Sequence, residues 1–540
     1  MDRPETFSSF GVNTSVALIF ATVAIVVYFL TNRLSGRQRW EKYGVKHVDA
    51  TIYQSPEPLW EELMQKHGPT VGIVREVPVL VTRDLDILKQ VLVKDFNNFV
   101  NRNDHMPSRS PLGKGVFFLR DHDWKRIRQL MSPSFSTGKL KRISIHVQDA
   151  ARSLTKVFEK CARTDTHVKL LHTTGQYSTS IIAKTAFGLQ ADSIGEEEDD
   201  HFTYWAKNFF KKRSKLSYFF LLFLMRFRKF QSFLINDLRL DYPDMCTKGS
   251  FTYFGAVLKD AIKEREKSER MGPRHQHNDF LQSLVSIKVA TDAAKAKSLS
   301  GGVENGLSDA PASAEARNIT AVPKKTITTE EVIAQSIITI LAAYETTSTT
   351  LHFCLFSLAE NPDIQEKVFQ EISEVVEHDD PSKEELSRLH YLEQVIKETL
   401  RLYPPVSSVS RQAYEDRTYG KITIPAGAAV LIPIREIQRD PAIYPNPETF
   451  DPERFNEENR AKRNSLAFIP FGQGPRLCMG KRLAYLELKT ALVQILRKVR
   501  VELTETTVPQ KGEKITMTYR EFPRPEKPIE LAVKFRDGQC

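Results

Sequence analysis

The sequence predicts a mainly α-helical protein with a small β region, placed behind an N-terminal transmembrane helix. Apolar residues recur with helical spacing over most of 120–285, and a long apolar helix pattern follows Thr328. Beyond residue 400, proline-rich turns alternate with short β-rich stretches such as KITIPAGAAVLIPI. An N-terminal apolar run of about 20 residues has the length that spans a bilayer.

Composition and charge exclude several classes of protein. The 540 residues are long enough for a large core, and length alone suggests two to four domains. The formal charge is +10, but the sequence has no basic tract interleaved with aromatic residues. This argues against nucleic acid as a partner. Five scattered cysteines without a CxxC pair argue against a disulfide framework or a zinc site, and for a reducing compartment.

The N-terminal segment predicts a membrane anchor. Residues 1–10 form the lumenal N-terminus, 11–31 the transmembrane helix and 32–50 a basic linker, so the positive charge places the C-terminal side in the cytosol. A cleaved signal peptide is the alternative. However, the residues before the apolar run are not basic, and no small-residue cleavage site follows Leu30.

The remaining elements follow in chain order. Residues 71–95 read as short strands leading into a helix. Tyr218–Met225 is an apolar run too short to span a membrane, and it fits either a core helix or a flap dipping into the bilayer. Residues 286–325 are small and polar and predict a flexible loop. Thr328 and Glu331 then predict a capping box at the start of a buried helix.

The stretch FGQGPRLCMG, residues 471–480, carries the chemistry. Its glycines at 472, 474 and 480 permit backbone conformations and close approaches that a Cβ blocks, and Pro475 stiffens the turn. Cys478 precedes a predicted helix, whose N-terminal dipoles favour a thiolate. From these residues alone Cys478 fits a nucleophile, a redox centre or a metal ligand.

The loop resembles the haem-binding loop of the cytochromes P-450, Phe-x-x-Gly-x-Arg-x-Cys-x-Gly. Four further motifs of that family occur in order: the helix C WxxxR, the oxygen-activating helix LAAYETT, the ExxR, and FDPERF. The residues that match are Trp124, Arg128, Glu345, Thr346, Glu398, Arg401, Arg454, Phe471, Gly474, Arg476, Cys478 and Gly480. Segments such as NRNDHMP and PEKPIEL are similar to the microsomal branch, which oxidises drugs and steroids and includes thromboxane synthase. The family fold implies one large, mostly helical domain over 51–540, contrary to the expectation from length.

The resemblance implies haem b as cofactor, with Cys478 as the axial iron ligand. A thiolate ligand pushes electron density onto the iron and favours O–O cleavage. Trp124, Arg128 and Arg476 are the expected partners of the haem propionates. The cofactor-binding set is completed by Arg102, Arg411, Phe471 and Gly480. Glu398, Arg401 and Arg454 are expected to form a buried network that braces the cysteine loop, a structural role.

Glu345 and Thr346 are the expected catalytic residues, because the family places an acid and an alcohol beside the bound dioxygen. A threonine within a helix otherwise bonds back to a carbonyl, which is the structural alternative. The family's usual glycine is Ala343 here, and we expect altered coupling or regiochemistry with activity retained.

The chain lacks a dinucleotide fingerprint, so electrons must come from another protein. The resemblance implies NADPH–cytochrome P-450 reductase, with a small b-type cytochrome as a second donor, and the endoplasmic reticulum membrane as location. Basic residues flank the haem-binding segments and fit either a docking face or an ordinary solvated surface. They are Lys125, Arg126, Lys139, Lys141, Arg142, Lys481 and Arg482.

Three functions fit these features. The leading hypothesis is a haem-thiolate monooxygenase that inserts one oxygen atom into an apolar steroid, lipid or xenobiotic. The second is a haem isomerase of a fatty-acid endoperoxide, like thromboxane synthase, and the third is a haem protein that binds lipid or gas without turnover. Glu345 and Thr346 favour the first, since an isomerase has no need of a proton relay.

Overall fold

The computed structural model describes residues 40–48, 56–74, 77–102, 111–189, 191–209, 247–272, 279–300, 326–519 and 522–536. The predicted anchor at 11–31 and the apolar run Tyr218–Met225 lie outside these residues. Within the described ranges, no helix has both the length and the apolar character that crossing a membrane requires.

Helices form most of the described structure, as the sequence predicts. They are α1 Pro56–His67, α2 Leu85–Lys89, α3 Asp121–Met131, α4 Thr137–Thr164, α5 Leu170–Phe187, α6 His201–Lys207, α7 Lys248–Met271, α8 Phe280–Ser300, α9 Thr329–Glu360, α10 Pro362–Val375, α11 Lys383–Arg388, α12 His390–Leu402, α13 Ile434–Gln438, α14 Glu457–Lys462 and α15 Lys481–Lys498.

The strands are short, and all but β4 lie before residue 83 or after residue 407. They are β1 His47–Val48, β2 Thr70–Ile73, β3 Val79–Thr82, β4 Val168–Lys169, β5 Ser408–Gln412, β6 Arg417–Tyr419, β7 Ile422–Ile424, β8 Ala429–Pro433, β9 Val499–Glu502, β10 Met517–Tyr519, β11 Pro523–Pro525 and β12 Glu530–Phe535. The largest sheet has the order β1-β2-β3-β8-β5, and a second sheet has the order β4-β12-β9. The β6-β7 and β10-β11 pairs are hairpins.

Helix α9 runs through the centre of the core. Its N-terminus has the predicted capping box: the Glu331 amide donates to the Thr328 hydroxyl, and the Thr328 amide donates to the Glu331 carboxylate. Side chains on every face are buried, including Ile337, Leu351 and Phe356. Such an all-round apolar helix is stable only when neighbours cover it, here α5, α12 and α15.

Residues 286–300 were expected to belong to a flexible loop, but they are helical, because α8 continues to Ser300. Its start packs Leu281, Leu284 and Val285 into the core. The following alanine and lysine residues have high helix propensity and extend the helix from that anchor. The rest of the predicted loop, 301–325, lies outside the described residues.

Candidate active site

The cysteine loop is a short turn held against the start of α15. Gly474–Arg476 forms one 3-10 turn, and the Cys478 amide donates to the Phe471 carbonyl over 3.0 Å. Among the described cysteines, Cys161 is half-buried, Cys354 is buried and Cys478 is exposed. Cys478 is therefore the described cysteine that is most open to a ligand.

Two of the three loop glycines are required by the backbone. Gly472 and Gly474 have φ values of +72° and +73°, where a side chain is strained. A Cβ on Gly474 would also lie 1.9 Å from the Leu92 carbonyl oxygen. Gly480 has φ of −79°, so the sequence argument for its backbone freedom was wrong. A Cβ there would lie 3.9 Å from the Cys478 sulfur.

The surroundings of Cys478 act on the pKa of its thiol in opposite directions. Burial raises its pKa, whereas the backbone N–H groups of Gly480 and Lys481 and the Arg128 guanidinium lower it, and the net result is a raised pKa. Protein atoms pack around the sulfur although the residue as a whole is exposed. The helix terminus alone therefore does not ionise this thiol, and a metal cation bound to the sulfur would favour its thiolate form.

Arg476 lies at the centre of the predicted cofactor-binding residues. Its guanidinium stacks over the Trp124 ring at 4.2 Å and donates to the carbonyls of Val100 (2.8 Å) and Leu119 (2.9 Å). Its Nη1 is buried and has no hydrogen-bond partner among the described residues. A buried cationic donor of this kind calls for an anionic acceptor.

The guanidinium groups of Arg102, Arg411 and Arg120 surround Arg476. Burial and, to a smaller extent, the charges of Arg102, Arg411 and Arg120 together lower the pKa of Arg476 to about 8, while Asp121 acts in the opposite direction. This concentration of positive charge, with one carboxylate to offset it, fits the two propionates of a haem. Together with the exposed Cys478, it matches the cofactor that the sequence resemblance implies.

Arg120 was not predicted from the sequence. Its Nη2 donates to the Gln412 side chain over 2.6 Å, beside Arg411 at the edge of the main sheet. The only indication of this role in the sequence was that Arg120 lies four residues before Trp124, the first residue of the WxxxR motif.

Arg102, Arg411 and Arg128 reach the site from different elements. Arg102 donates to the Phe117 carbonyl over 2.9 Å and lies over the ring of the same residue. Arg411, on β5, is 1% exposed and donates to the Ser410 carbonyl. Arg128, on α3, instead donates to the Leu477 carbonyl over 2.6 Å, so its charge lies next to Cys478.

The predicted structural network is present. Arg401 donates to both carboxylate oxygens of Glu398 at 2.7 and 2.8 Å, and both side chains are fully buried. Arg454 pairs with the same carboxylate at 3.4 Å. Arg401 also donates to the carbonyls of Gln438 and Thr449, which connects α12 to the segment that precedes the cysteine loop.

Glu345 and Thr346 lie next to each other on α9 but have different surroundings. The Thr346 hydroxyl donates to the Ala342 carbonyl over 2.7 Å, the bond expected of a threonine within a helix. The Glu345 carboxylate is 1% exposed and accepts two hydrogen bonds, at 2.6 and 2.7 Å, from Arg524 on β11. Sequence reasoning did not find Arg524, because 179 residues separate the two partners.

Glu487 is a further carboxyl group near the Glu345–Thr346 segment, and sequence reasoning did not identify it. Glu487, on α15, is buried, and burial raises its pKa to about 8, although a hydrogen bond with Thr347 acts to lower it. The Glu487 carbonyl accepts a hydrogen bond from Tyr177 on α5. At neutral pH the Glu487 side chain is therefore largely protonated.

A basic cleft of about 860 Å³ is lined by residues of α4, α11, α12, α14 and α15, the helix that follows the cysteine loop. Tyr485 lines the cleft, and the centroid of its ring lies 5.7 Å from that of the Phe471 ring. Neither Glu345 nor Thr346, the predicted oxygen-activating residues, lines the cleft. Six of its cations form no ion pair with another described residue: Lys141, Lys383, Arg460, Arg463, Lys481 and Arg482. Arg126, expected in a docking face, is instead ion-paired with Glu331 and 14% exposed.

Comparison with known proteins gives consistent matches over almost the whole chain. The Cytochrome P450 family model matches residues 51–533. Cytochrome P450 3A11 of Mus musculus is 32% identical over 502 residues, which are 90% of this chain and 90% of that protein. Cytochrome P450 3A2 of Rattus norvegicus is 33% identical over 491 residues, 88% and 87% of the two chains. Thromboxane-A synthase of Sus scrofa is 30% identical over 522 residues, 92% and 94% of the two chains.

Proposed function

The chain belongs to the cytochrome P-450 family and is a haem monooxygenase, and we propose that it inserts one oxygen atom of O2 into an apolar steroid, lipid or xenobiotic with electrons from NADPH. The observation that carries the proposal is the arginine cluster around Arg476 beside the exposed Cys478. That arrangement suits a cofactor that has two carboxylates at one edge and a central metal ion that binds a thiolate.

The proposed cofactor is haem b, with Cys478 as the axial iron ligand. Its propionates would pair with Arg476, Arg102, Arg411 and Arg128 and with the indole N–H of Trp124, while Phe471 and Gly480 shape the loop around the sulfur. Bound haem supplies the site where dioxygen binds and accepts electrons.

Thr346 and Glu345 would handle the protons. The Thr346 hydroxyl donates to the Ala342 carbonyl, so its oxygen has lone pairs with which to accept a hydrogen bond. Glu345 is the adjacent acid in the sequence and would supply a proton that the reaction consumes. A positioned acid typically increases a reaction rate on the order of 10²–10⁴-fold, so Glu345 and Thr346 would account for an acceleration of that order.

We assign the basic cleft to the electron donor, NADPH–cytochrome P-450 reductase, with a small b-type cytochrome as a second donor at the same face. Its cations Lys141, Lys481 and Arg482 form no ion pair with another described residue, and Lys481 follows Cys478 by three positions, so an acidic flavoprotein bound there would lie close to the cysteine loop. Positive charge concentrated in a cleft increases the encounter rate with an acidic partner.

The proposed location is the endoplasmic reticulum membrane, with 11–31 as a single-pass anchor and the catalytic domain in the cytosol. The apolar run and the positive charges that follow it support this orientation.

A haem isomerase of a fatty-acid endoperoxide is the second candidate, and the similarity to Thromboxane-A synthase favours it. The deciding experiment incubates purified holoenzyme with a panel of apolar substrates and an endoperoxide, with and without NADPH and reductase. Oxygenated products that need NADPH and reductase support the monooxygenase. Endoperoxide rearrangement at full rate without them, and no oxygenation with them, would establish the isomerase.

A further inference from the structure

Gln335 of α9 holds the chain segment that follows the 3-10 turn Pro111–Lys114. Its side-chain carbonyl accepts a hydrogen bond from the Val116 amide over 2.7 Å, and its side-chain NH2 donates to the Lys114 carbonyl over 2.6 Å. Gln335 is fully buried, so leaving either polar atom of its amide unpaired would be costly. One buried side chain therefore fixes the backbone of residues 112–119 against α9.

The other end of the 112–119 segment is held by the arginine cluster. Arg102 donates to the Phe117 carbonyl over 2.9 Å, and Arg476 donates to the Leu119 carbonyl over the same distance. Both arginines are predicted partners of the haem propionates. The segment is thus attached to α9 at one end and to the cofactor-binding residues at the other.

One stripe of α9 is less covered by protein than the rest of its central turns. Ala342 is exposed, and Ile338 and Thr346 are half-buried, at the spacing of four residues that places them on one helix face. Gln335, three residues before Ile338, lies on this face too. The segment meets the stripe at Gly115, where an added Cβ would lie 3.4 Å from the Ile338 Cβ.

The segment also presents apolar side chains that are only partly covered. Val116, Phe118 and Leu119 are half-buried and pack against one core cluster, and Met479 packs against the same cluster. Met479 directly follows Cys478. An apolar substrate gains free energy by covering apolar surface of this kind.

We propose that Gln335 is a positioning residue for the substrate: it holds the 112–119 segment as a wall of the substrate chamber, the space between α9 and the cysteine loop. The proposal rests on the proposed monooxygenase function. Gln335 acts through the segment, because both polar atoms of its side chain bond to the backbone there. Without these two bonds the wall moves away from Ile338, and the chamber fits a compact apolar ligand less closely.

The test measures ligand affinity from the shift of the Soret band in holoenzymes titrated with imidazole and with 4-phenylimidazole. Imidazole reports on access to the iron, and the added phenyl ring reports on the wall. Gln335→Leu keeps a side chain of similar size but makes neither bond, and its preference for 4-phenylimidazole over imidazole should fall about tenfold. A preference equal to that of the wild type would overturn the proposal.

Gln365→Leu is the matched control. Gln365, on α10, is also buried, donates to the carbonyls of Leu358 and Val501, and accepts from the Val501 amide. Its removal should lower stability as removal of Gln335 does, but leave the ligand preference unchanged. If Gln335→Leu loses stability and keeps the preference of this control, Gln335 has a structural role only and the proposal is wrong.

Gly115→Ala tests the wall without changing Gln335. The new Cβ would lie 3.0 Å from the Leu112 carbonyl oxygen and close to Ile338, so the segment must shift relative to α9. We expect the preference for 4-phenylimidazole to fall in this variant as well. It decides the question if Gln335→Leu does not fold, and an unchanged preference in Gly115→Ala would contradict the proposal.

Hydrogen exchange reports on the segment in the absence of any substrate. The amides of residues 115–119 should exchange faster in Gln335→Leu than in the wild type or in Gln365→Leu, and equal rates would overturn the proposal. A wild-type enzyme that forms no oxygenated product with NADPH and reductase would instead contradict the proposed function. The ligand and exchange measurements need no turnover, so they decide the role of Gln335 separately.

Discussion

The Glu398 carboxylate accepts hydrogen bonds from Nε and Nη2 of Arg401, and neither side chain is exposed to solvent. The spacing of three residues on α12 brings the two groups together, and the fold around them excludes water. Because Arg401 also donates to Gln438 and Thr449, one ion pair connects three segments of the chain.

Removing one side of this pair should destabilise the fold strongly. Glu398→Gln leaves the buried Arg401 charge uncompensated, and we expect a loss of about 3–5 kcal/mol in the free energy of unfolding. Denaturant unfolding of the holoenzyme measures the loss. The control is Glu458→Gln, which breaks an exposed i,i+4 pair with Lys462 and should cost less than about 1 kcal/mol. Equal losses in the two variants would contradict the assignment.

The two strained glycines of the cysteine loop provide a matched pair. Gly472→Ala places a Cβ in open space at φ +72° and should cost roughly 1–2 kcal/mol of stability. Gly474→Ala adds a collision with the Leu92 carbonyl to similar strain, so its loss of stability and of bound haem should be larger. Unfolding free energy and the haem-to-protein ratio test this, and a Gly474 variant no worse than the Gly472 variant would refute it.

Glu487 should make stability depend on pH. Its pKa is raised from 4.5 to about 8, so between these values the folded state holds a proton that the unfolded state has lost. The unfolding free energy should therefore fall as pH rises through this window, by up to about 1.4 kcal/mol per pH unit from this group. The difference between wild type and Glu487→Gln, measured across the window, isolates the effect. A difference independent of pH would mean that Glu487 is ionised in the folded protein.

Neutralising the basic cleft should weaken reductase docking. The variant with Lys141, Lys481 and Arg482 each changed to Gln should show an association rate with reductase about tenfold lower at low salt. The difference should shrink at high ionic strength, because salt screens charges on the surface. Lys259→Gln, an exposed cation on α7 outside the cleft, is the control. If that control slows association as much, the cleft is not the docking face.

The features that sequence reasoning predicted depend on short-range spacing. The capping box at Thr328, the turn around Cys478 and the pair of Glu398 with Arg401 each involve residues within a few positions of one another. Such patterns fix local geometry before tertiary packing does, which is why the motif residues were found.

The features that were missed depend on packing between distant segments. Arg524 meets Glu345 because the C-terminal hairpin folds back onto α9, and Arg120 joins the arginine cluster through Gln412. Glu487 looks like an ordinary charged position of a helix until its burial is known. The continuation of α8 to Ser300 was missed because small residues were interpreted as loop formers, although their helix propensity extends an anchored helix.

The most direct test of the central claim is the absorption spectrum of the reduced, carbon monoxide-bound protein. A thiolate opposite carbon monoxide moves the Soret band to longer wavelength than a neutral ligand does, so the wild type should show the shifted band. Cys478→Ser should lose it, and Cys161→Ser, which changes a half-buried cysteine outside the loop, should keep it. A shifted band that persists in Cys478→Ser would contradict the assignment of Cys478 as the haem ligand.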